Sequence, residues 1–177
     1  MKTTIKFKGH DGSRWVYGFY VQIEDNHFIY ENGMPVLCDP DSIGQYTGFN
    51  DINGTEIYEG DYVIVHESSK YPSSSAGVVH YNKDSTRYMV DFFYPERLLI
   101  TERSNPITTE SYESFDQGGR DYHSFEYTIV GNEYLHSGVF DHAFKKYEGE
   151  LYRRDHTIGE VERMIVKEFI DTCKSKS

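Results

Sequence analysis

The sequence predicts a mainly β protein: amino-terminal hairpins packed on a small SH3-like barrel, with one carboxy-terminal amphipathic helix. Three observations lead there. Turn signals recur every several residues between short runs of β-branched and aromatic residues. No helical pattern alternates with those runs, which disfavours a three-layer α/β fold. A helical spacing of apolar residues occurs only near the carboxy terminus.

Taken in order, residues 4–8 and 14–23 alternate as strands, joined by the turn His10-Asp11-Gly12-Ser13. His27–Tyr30 is a further strand closed by Glu31-Asn32-Gly33. Its Asn-Gly pair suits a tight hairpin onto Met34–Leu37, and Pro35 confines that last strand to an edge. The run Gly44–Val65 carries a second Asn-Gly at 53–54, flanked by Tyr46, Thr47 and Phe49 on one side and Thr55, Ile57 and Tyr58 on the other. A two-residue type I′ hairpin is expected there, because Asn tolerates positive φ and Gly adopts it without strain. Glu59-Gly60-Asp61 is the next turn. Tyr62–Val65 is apolar throughout and of strand length. A Ser-rich loop from Ser68 to Ala76, a strand over Gly77–Tyr81, a turn over Asn82–Thr86 and a strand over Arg87–Phe93 follow. These strands from Tyr62 onward are the expected barrel.

Residues 94–123 are mostly polar and contain Pro106, Gly118 and Gly119. They read as an insertion, either a β-arm reaching a neighbouring subunit or a surface loop. Phe125–Val130 is a strand. Beyond it, Thr157 and Glu160 have capping-box spacing, and Ile158, Val161, Ile165 and Phe169 share one helical face. That face is expected to pack on the protein's own sheet, the other possibility being a neighbouring subunit. The domain reading is a β domain over 1–140, with lobes 1–60 and 61–140, and a helical extension over 141–177.

The composition bounds the function. The chain has 177 residues, a mean hydropathy of −0.66 and a net charge of −11. That size accommodates one domain with a substantial core. Sixteen Tyr and 11 Phe argue against disorder and suit sheet faces, and Tyr also suits interfaces. The charge is −5 over residues 1–60, −7 over 61–150 and +1 over 151–177. An acidic body does not track a phosphate backbone, so no direct nucleic-acid binding is expected. Cys38 and Cys173 lack metal-ligand spacing and are expected as free thiols in a reducing cytoplasm. No apolar leader or spanning segment is legible, so no membrane role is expected.

No phosphate-binding loop, dinucleotide fingerprint, nucleophile elbow or HExxH pattern is present. His136, Asp141 and His142 lack helical zinc-site spacing and read as loop or surface residues. Glu56, Glu59 and Asp61 form a compact acidic trio. A hydrolase or nuclease holding a divalent metal would need them around one cleft. The sole tryptophan, Trp15, reads as a core anchor or as part of an exposed aromatic patch with Arg14 and Tyr17.

Several segments together resemble the YopX family of phage- and prophage-encoded proteins. They are Ile5–Gly9, Arg14–Gly18, Cys38–Ile43, the GQYTG stretch from Gly44, Glu59-Gly60-Asp61, Gly77–Val79 and Ile129–Tyr134. The resemblance implies a largely β, phage-associated, self-associating protein in a bacterial cytoplasm, with no catalytic residues to carry over. The expected function is therefore non-enzymatic, through homo-oligomer formation and contacts with host or phage proteins. An acidic decoy for a host DNA-binding protein is the alternative, and the metal-dependent hydrolase a third reading. No cofactor, metal or catalytic residue is expected. Trp15, Tyr46, Tyr58, Glu59 and Asp61 are the candidate partner or ligand surface.

Overall fold

The structure, a computed structural model, describes residues 5–68, 73–92, 104–108, 112–116, 119–147, 149–150 and 158–175. The described residues form two antiparallel sheets of six strands each. The first contains β1 (Phe7–His10), β2 (Trp15–Ile23), β3 (Asn26–Glu31), β4 (Met34–Cys38), β5 (Gly44–Asn50) and β6 (Glu56–Tyr58), in the order β4-β3-β2-β1-β5-β6. The second contains β7 (Asp61–Ser68), β8 (Ser73–Asn82), β9 (Arg87–Phe92), β10 (Ser104–Pro106), β11 (Tyr112–Asp116) and β12 (Gly119–Asn132), in the order β10-β9-β8-β7-β12-β11.

The expected SH3-like barrel is not found closed among the described residues. Among the described residues β10 and β11 end the second sheet without pairing to each other, so the strands after Tyr62 form an open sheet. Curling is seen instead in the first sheet. There β2 pairs with β1 through residues 15–18 and with β3 through residues 19–23. The switch falls at Gly18, where a Cβ would lie 2.0 Å from the Tyr30 carbonyl oxygen. A 3-10 turn over Pro40–Ser42, capped by the Asp39 carboxylate, carries the chain from β4 to β5. The Asp39 N–H donates to the His10 carbonyl at 2.9 Å, which brings the end of β4 beside β1.

The two Asn-Gly turns behave differently. Asn32 and Gly33 both have positive φ, 51° and 83°, as a type I′ connection from β3 to β4 requires. At 53–54 only Gly54 has positive φ, so the expected two-residue hairpin does not form. The Asp51 side chain organises a longer loop in its place. Its Oδ1 accepts from the N–H groups of Asn53 at 2.8 Å and Thr55 at 2.9 Å. A carboxylate that satisfies two N–H groups of the loop competes effectively with the tight turn. Gly48, at φ 91°, accommodates the register shift in β5 between Tyr46 and Asn50.

The apolar run Tyr62–Val65 is explained by burial on both faces of β7. Tyr62 and Ile64 meet helices; Val63 and Val65 meet Ile57, Val79, Val90 and Tyr127. Ile57 comes from β6, so the first sheet covers one face of the second. The other face is covered by α2 (Val139–Tyr147) and α3 (Ile158–Ser175), through Val139, Ala143, Val161, Ile165, Phe169 and Cys173. The Phe169 ring lies 5.3 Å from that of Tyr62. The terminal helix thus packs on its own sheet. Thr157, its expected cap, lies outside the described residues.

Two further expectations are corrected and one is narrowed. The Ser-rich stretch is strand from Ser73 onward, paired with β7. Of the two readings of 94–123, the described residues agree with β structure: β10 pairs with β9, and β11 forms a hairpin with Gly119–His123. Helix also begins earlier than residue 141, with the single turn α1 (Glu133–His136) followed by α2.

Candidate functional site

The turn Glu59-Gly60-Asp61 is the junction between the sheets. The Gly60 N–H donates to the Val79 carbonyl at 2.8 Å, and the Gly60 carbonyl accepts from the Glu133 N–H at 2.8 Å. Gly44 is pinned here as well, since a Cβ would come within 2.3 Å of the Glu59 carbonyl oxygen. A cleft of about 690 Å³ opens at this junction, between β1, β2 and β6 on one side and β12, α1 and the end of α3 on the other.

Its floor is an ion pair. Lys8, on β1, meets the Asp61 carboxylate, and both are buried, at 5% and 2% exposure. Asp61 also accepts from the Tyr58 N–H at 2.8 Å and from Asn132 Nδ2 at 3.2 Å. Burial lowers the pKa of the Lys8 ammonium, and Asp61 opposes that shift. The Lys8 Nζ lies 4.6 Å from the Trp15 ring centroid and 5.3 Å from that of Tyr58. The strand pairings Lys8 with Tyr17 and His10 with Trp15 put these side chains on one sheet face.

Glu56 stands at the rim. Burial would raise its pKa, but hydrogen bonds from Lys6 and from the Tyr58 hydroxyl hold it below the usual value. Burial, then Glu56 as acceptor, pushes the Tyr58 phenol well up. Tyr46 does not line the cleft but packs against Tyr58 at a tilt, ring centroids 5.6 Å apart.

The far wall holds His136. It is 3% exposed, its Nδ1 lies 3.1 Å from both the N–H and the carbonyl oxygen of Asn132, and its Nε2 is buried without a partner. The expectation of a loop or surface histidine is therefore corrected. Lys174, near the end of α3, completes that wall. Of the expected surface residues, Trp15, Tyr58 and Asp61 converge on this cleft and Tyr46 supports it. Glu59 does not. It lines a separate cleft with Asp41 and Glu133, and its Oε1 accepts from the Tyr81 N–H at 3.1 Å. The acidic trio consequently does not converge on one site. Among the described residues, no group of three or more His, Cys, Asp or Glu side chains is placed to hold a metal ion.

Sequence reasoning did not single out Lys8, Asn132, His136 or Lys174 as site residues. The Val139, Ala143 and Tyr147 spacing signals α2, but no local pattern marks His136 as buried.

A second surface lies on the same face of the first sheet, beyond the cleft. Phe19, Val21 and Ile23 of β2 pair with Tyr30, Phe28 and Asn26 of β3, and Phe28 and Tyr30 pair with Leu37 and Pro35 of β4. Phe19 is 66%, Ile23 52% and Leu37 54% exposed. This patch has no charged side chain.

Fold and site together define a mainly antiparallel β protein, with a buried ionic centre where its two sheets meet. The chain belongs to the YopX family, whose model, described as YopX protein, matches residues 18–137. Lys8, Trp15 and Tyr17 precede the matched segment. No curated protein and no solved structure matches the chain. No helix among the described residues is long and apolar enough to cross a membrane.

Proposed function

We propose that this protein acts without catalysis, by self-association and protein–protein contacts, and that the β2-β3-β4 face binds a second copy of the chain. The observation that carries this is an uncharged patch of Phe19, Val21, Ile23, Phe28, Tyr30 and Leu37 on a chain of net charge −11. An isologous pair placed on this patch brings apolar surface against apolar surface and buries no charge. Pro35 removes an N–H from the edge strand β4, which favours docking on the face over strand addition at the edge. The exposed parts of these side chains amount to roughly 500 Å² per copy, so a pair with its polar rim approaches the ~1,200 Å² at which specific interfaces begin.

Sedimentation velocity across a concentration series tests the reading. A concentration-dependent dimer that reverts to monomer in Phe19→Ser/Ile23→Ser is the expected result. A monomer throughout contradicts it.

The acidic cleft of Asp41, Glu59 and Glu133 favours a second reading, an acidic surface that engages a basic host protein. Capture from host lysate at low salt that recovers no DNA-binding protein would remove it. The phage or prophage origin and the bacterial cytoplasmic setting rest on the family resemblance.

A further inference from the structure

We infer that the cleft between the sheets binds a carboxylate group carried on an apolar or aromatic body. The inference rests on which polar atoms of the cleft are already occupied. Every carboxylate oxygen lining it has a donor from the protein. Glu56 Oε1 accepts from Lys6 and Oε2 from the Tyr58 hydroxyl. Asp61 Oδ1 accepts from Lys8 and Asn132, and Oδ2 from the Tyr58 N–H. Both carboxylates are thus already held by donors of the protein, Asp61 by the Lys8 cation, and the faces of Trp15 and Tyr58 already carry the Lys8 ammonium.

The donors are in the opposite condition. His136 Nδ1 lies 3.1 Å from both the Asn132 N–H and the Asn132 carbonyl oxygen; in the tautomer that accepts from the N–H, the proton sits on Nε2, a buried atom with no partner. A buried donor left unpaired is costly and is ordinarily satisfied by a ligand or water. Lys8 has Asp61 as its hydrogen-bonding partner for three N–H donors. Lys174 lines the cleft and has no ion-pair partner among the described residues. Spare donors and a spare positive charge thus share a cleft with satisfied carboxylates, which selects a ligand with an anionic acceptor head. The remaining lining, Trp15, Tyr17, Val130 and Leu135, is aromatic or apolar and suits an apolar body. A free organic acid and the carboxy-terminal end of a peptide share this chemistry.

Trp15 is the only tryptophan, so its fluorescence reports on the cleft directly. The intact protein is titrated with 3-phenylpropionate, 3-phenylpropionamide, inorganic phosphate, and an acetyl-Gly-Gly-Phe peptide with a free or an amidated terminus. The expected result is a saturable change with 3-phenylpropionate that is about tenfold weaker for the amide and for phosphate. Lys174→Ala, at an exposed helix end, and His136→Phe should each weaken it about tenfold. Circular dichroism checks that both variants fold, and the lysine variant stands by itself if the histidine variant does not. Tighter binding of the free-terminus peptide than of 3-phenylpropionate assigns the site to a peptide terminus; the reverse order assigns it to a small acid. No saturable change with either carboxylate, equal binding of acid and amide, or an undiminished response in Lys174→Ala overturns the inference. Self-association is read separately by sedimentation, so the two readings fail independently.

Discussion

Replacing Lys8 with Met removes the ammonium from the junction and leaves Asp61 charged, at 2% exposure, without its cation. Breaking a buried pair on one side costs about 3–5 kcal/mol, because the remaining charge stays desolvated. Asp61 still has the Tyr58 N–H and Asn132 Nδ2 as donors, and Met can rest against the Trp15 and Tyr58 rings. The low end of that range, about 3 kcal/mol, is therefore expected. It is a large fraction of a total stability of about 5–15 kcal/mol. With a urea slope of about 2–3 kcal/mol per molar, the unfolding midpoint should fall by roughly 1–1.5 M. Urea denaturation followed by Trp15 fluorescence measures it. Adding Asp61→Asn to Lys8→Met removes the stranded charge, so the double variant should be more stable than the sum of the two single losses predicts. A coupling of about 2 kcal/mol is expected from groups in direct contact. A Lys8→Met protein within about 1 kcal/mol of the parent, or strictly additive losses, would refute the description of this centre as a mutually dependent buried pair.

Phe169→Ala opens a cavity where α3 meets Tyr62 and should cost about 3–5 kcal/mol in the same assay. A loss below about 1 kcal/mol would mean that α3 is not seated on the sheet in solution. Asp11 accepts hydrogen bonds from the Arg14 and Ser13 N–H groups and the Ser13 hydroxyl, which lower its pKa to about 2. Its contribution to stability should be complete above the ordinary aspartate value and be lost as the pH falls through about 2. An NMR titration of the Asp11 carboxyl with an ordinary midpoint would contradict this.

The division into β hairpins and a terminal helix was legible because each depends on local spacing. Val161, Ile165 and Phe169 recur at helical intervals and are all buried in one cluster. Asn32-Gly33 has no competing side chain and makes the turn its residues favour. At Asn53-Gly54 the same dipeptide yields to Asp51, whose carboxylate binds the loop and whose neighbour Ile52 donates to the Tyr127 carbonyl of the second sheet at 2.9 Å. That tie spans distant parts of the chain, so no local pattern could show it. The closure of the barrel expected after Tyr62, which is not found among the described residues, was illegible for a similar reason. Alternation and turns specify neighbouring strands but not whether the outer two meet. The site was legible in part. Trp15, Tyr58 and Asp61 stand out by type and position, whereas nothing in the alternating strand 4–8 marks Lys8. Only the pairing of β1 with β2 and the docking of the second sheet bury it. His136 needed the same long-range information, since its burial depends on β12 and on α3.

The central claim is that the uncharged face of β2, β3 and β4 joins two copies of this chain. Sedimentation velocity of the parent and of Phe19→Ser/Ile23→Ser, from low micromolar to near-millimolar concentration, tests it most directly. The account predicts a parent that moves from monomer to dimer with concentration, and a folded variant that remains monomeric. A parent that stays monomeric, or a variant that dimerises as the parent does, would contradict it.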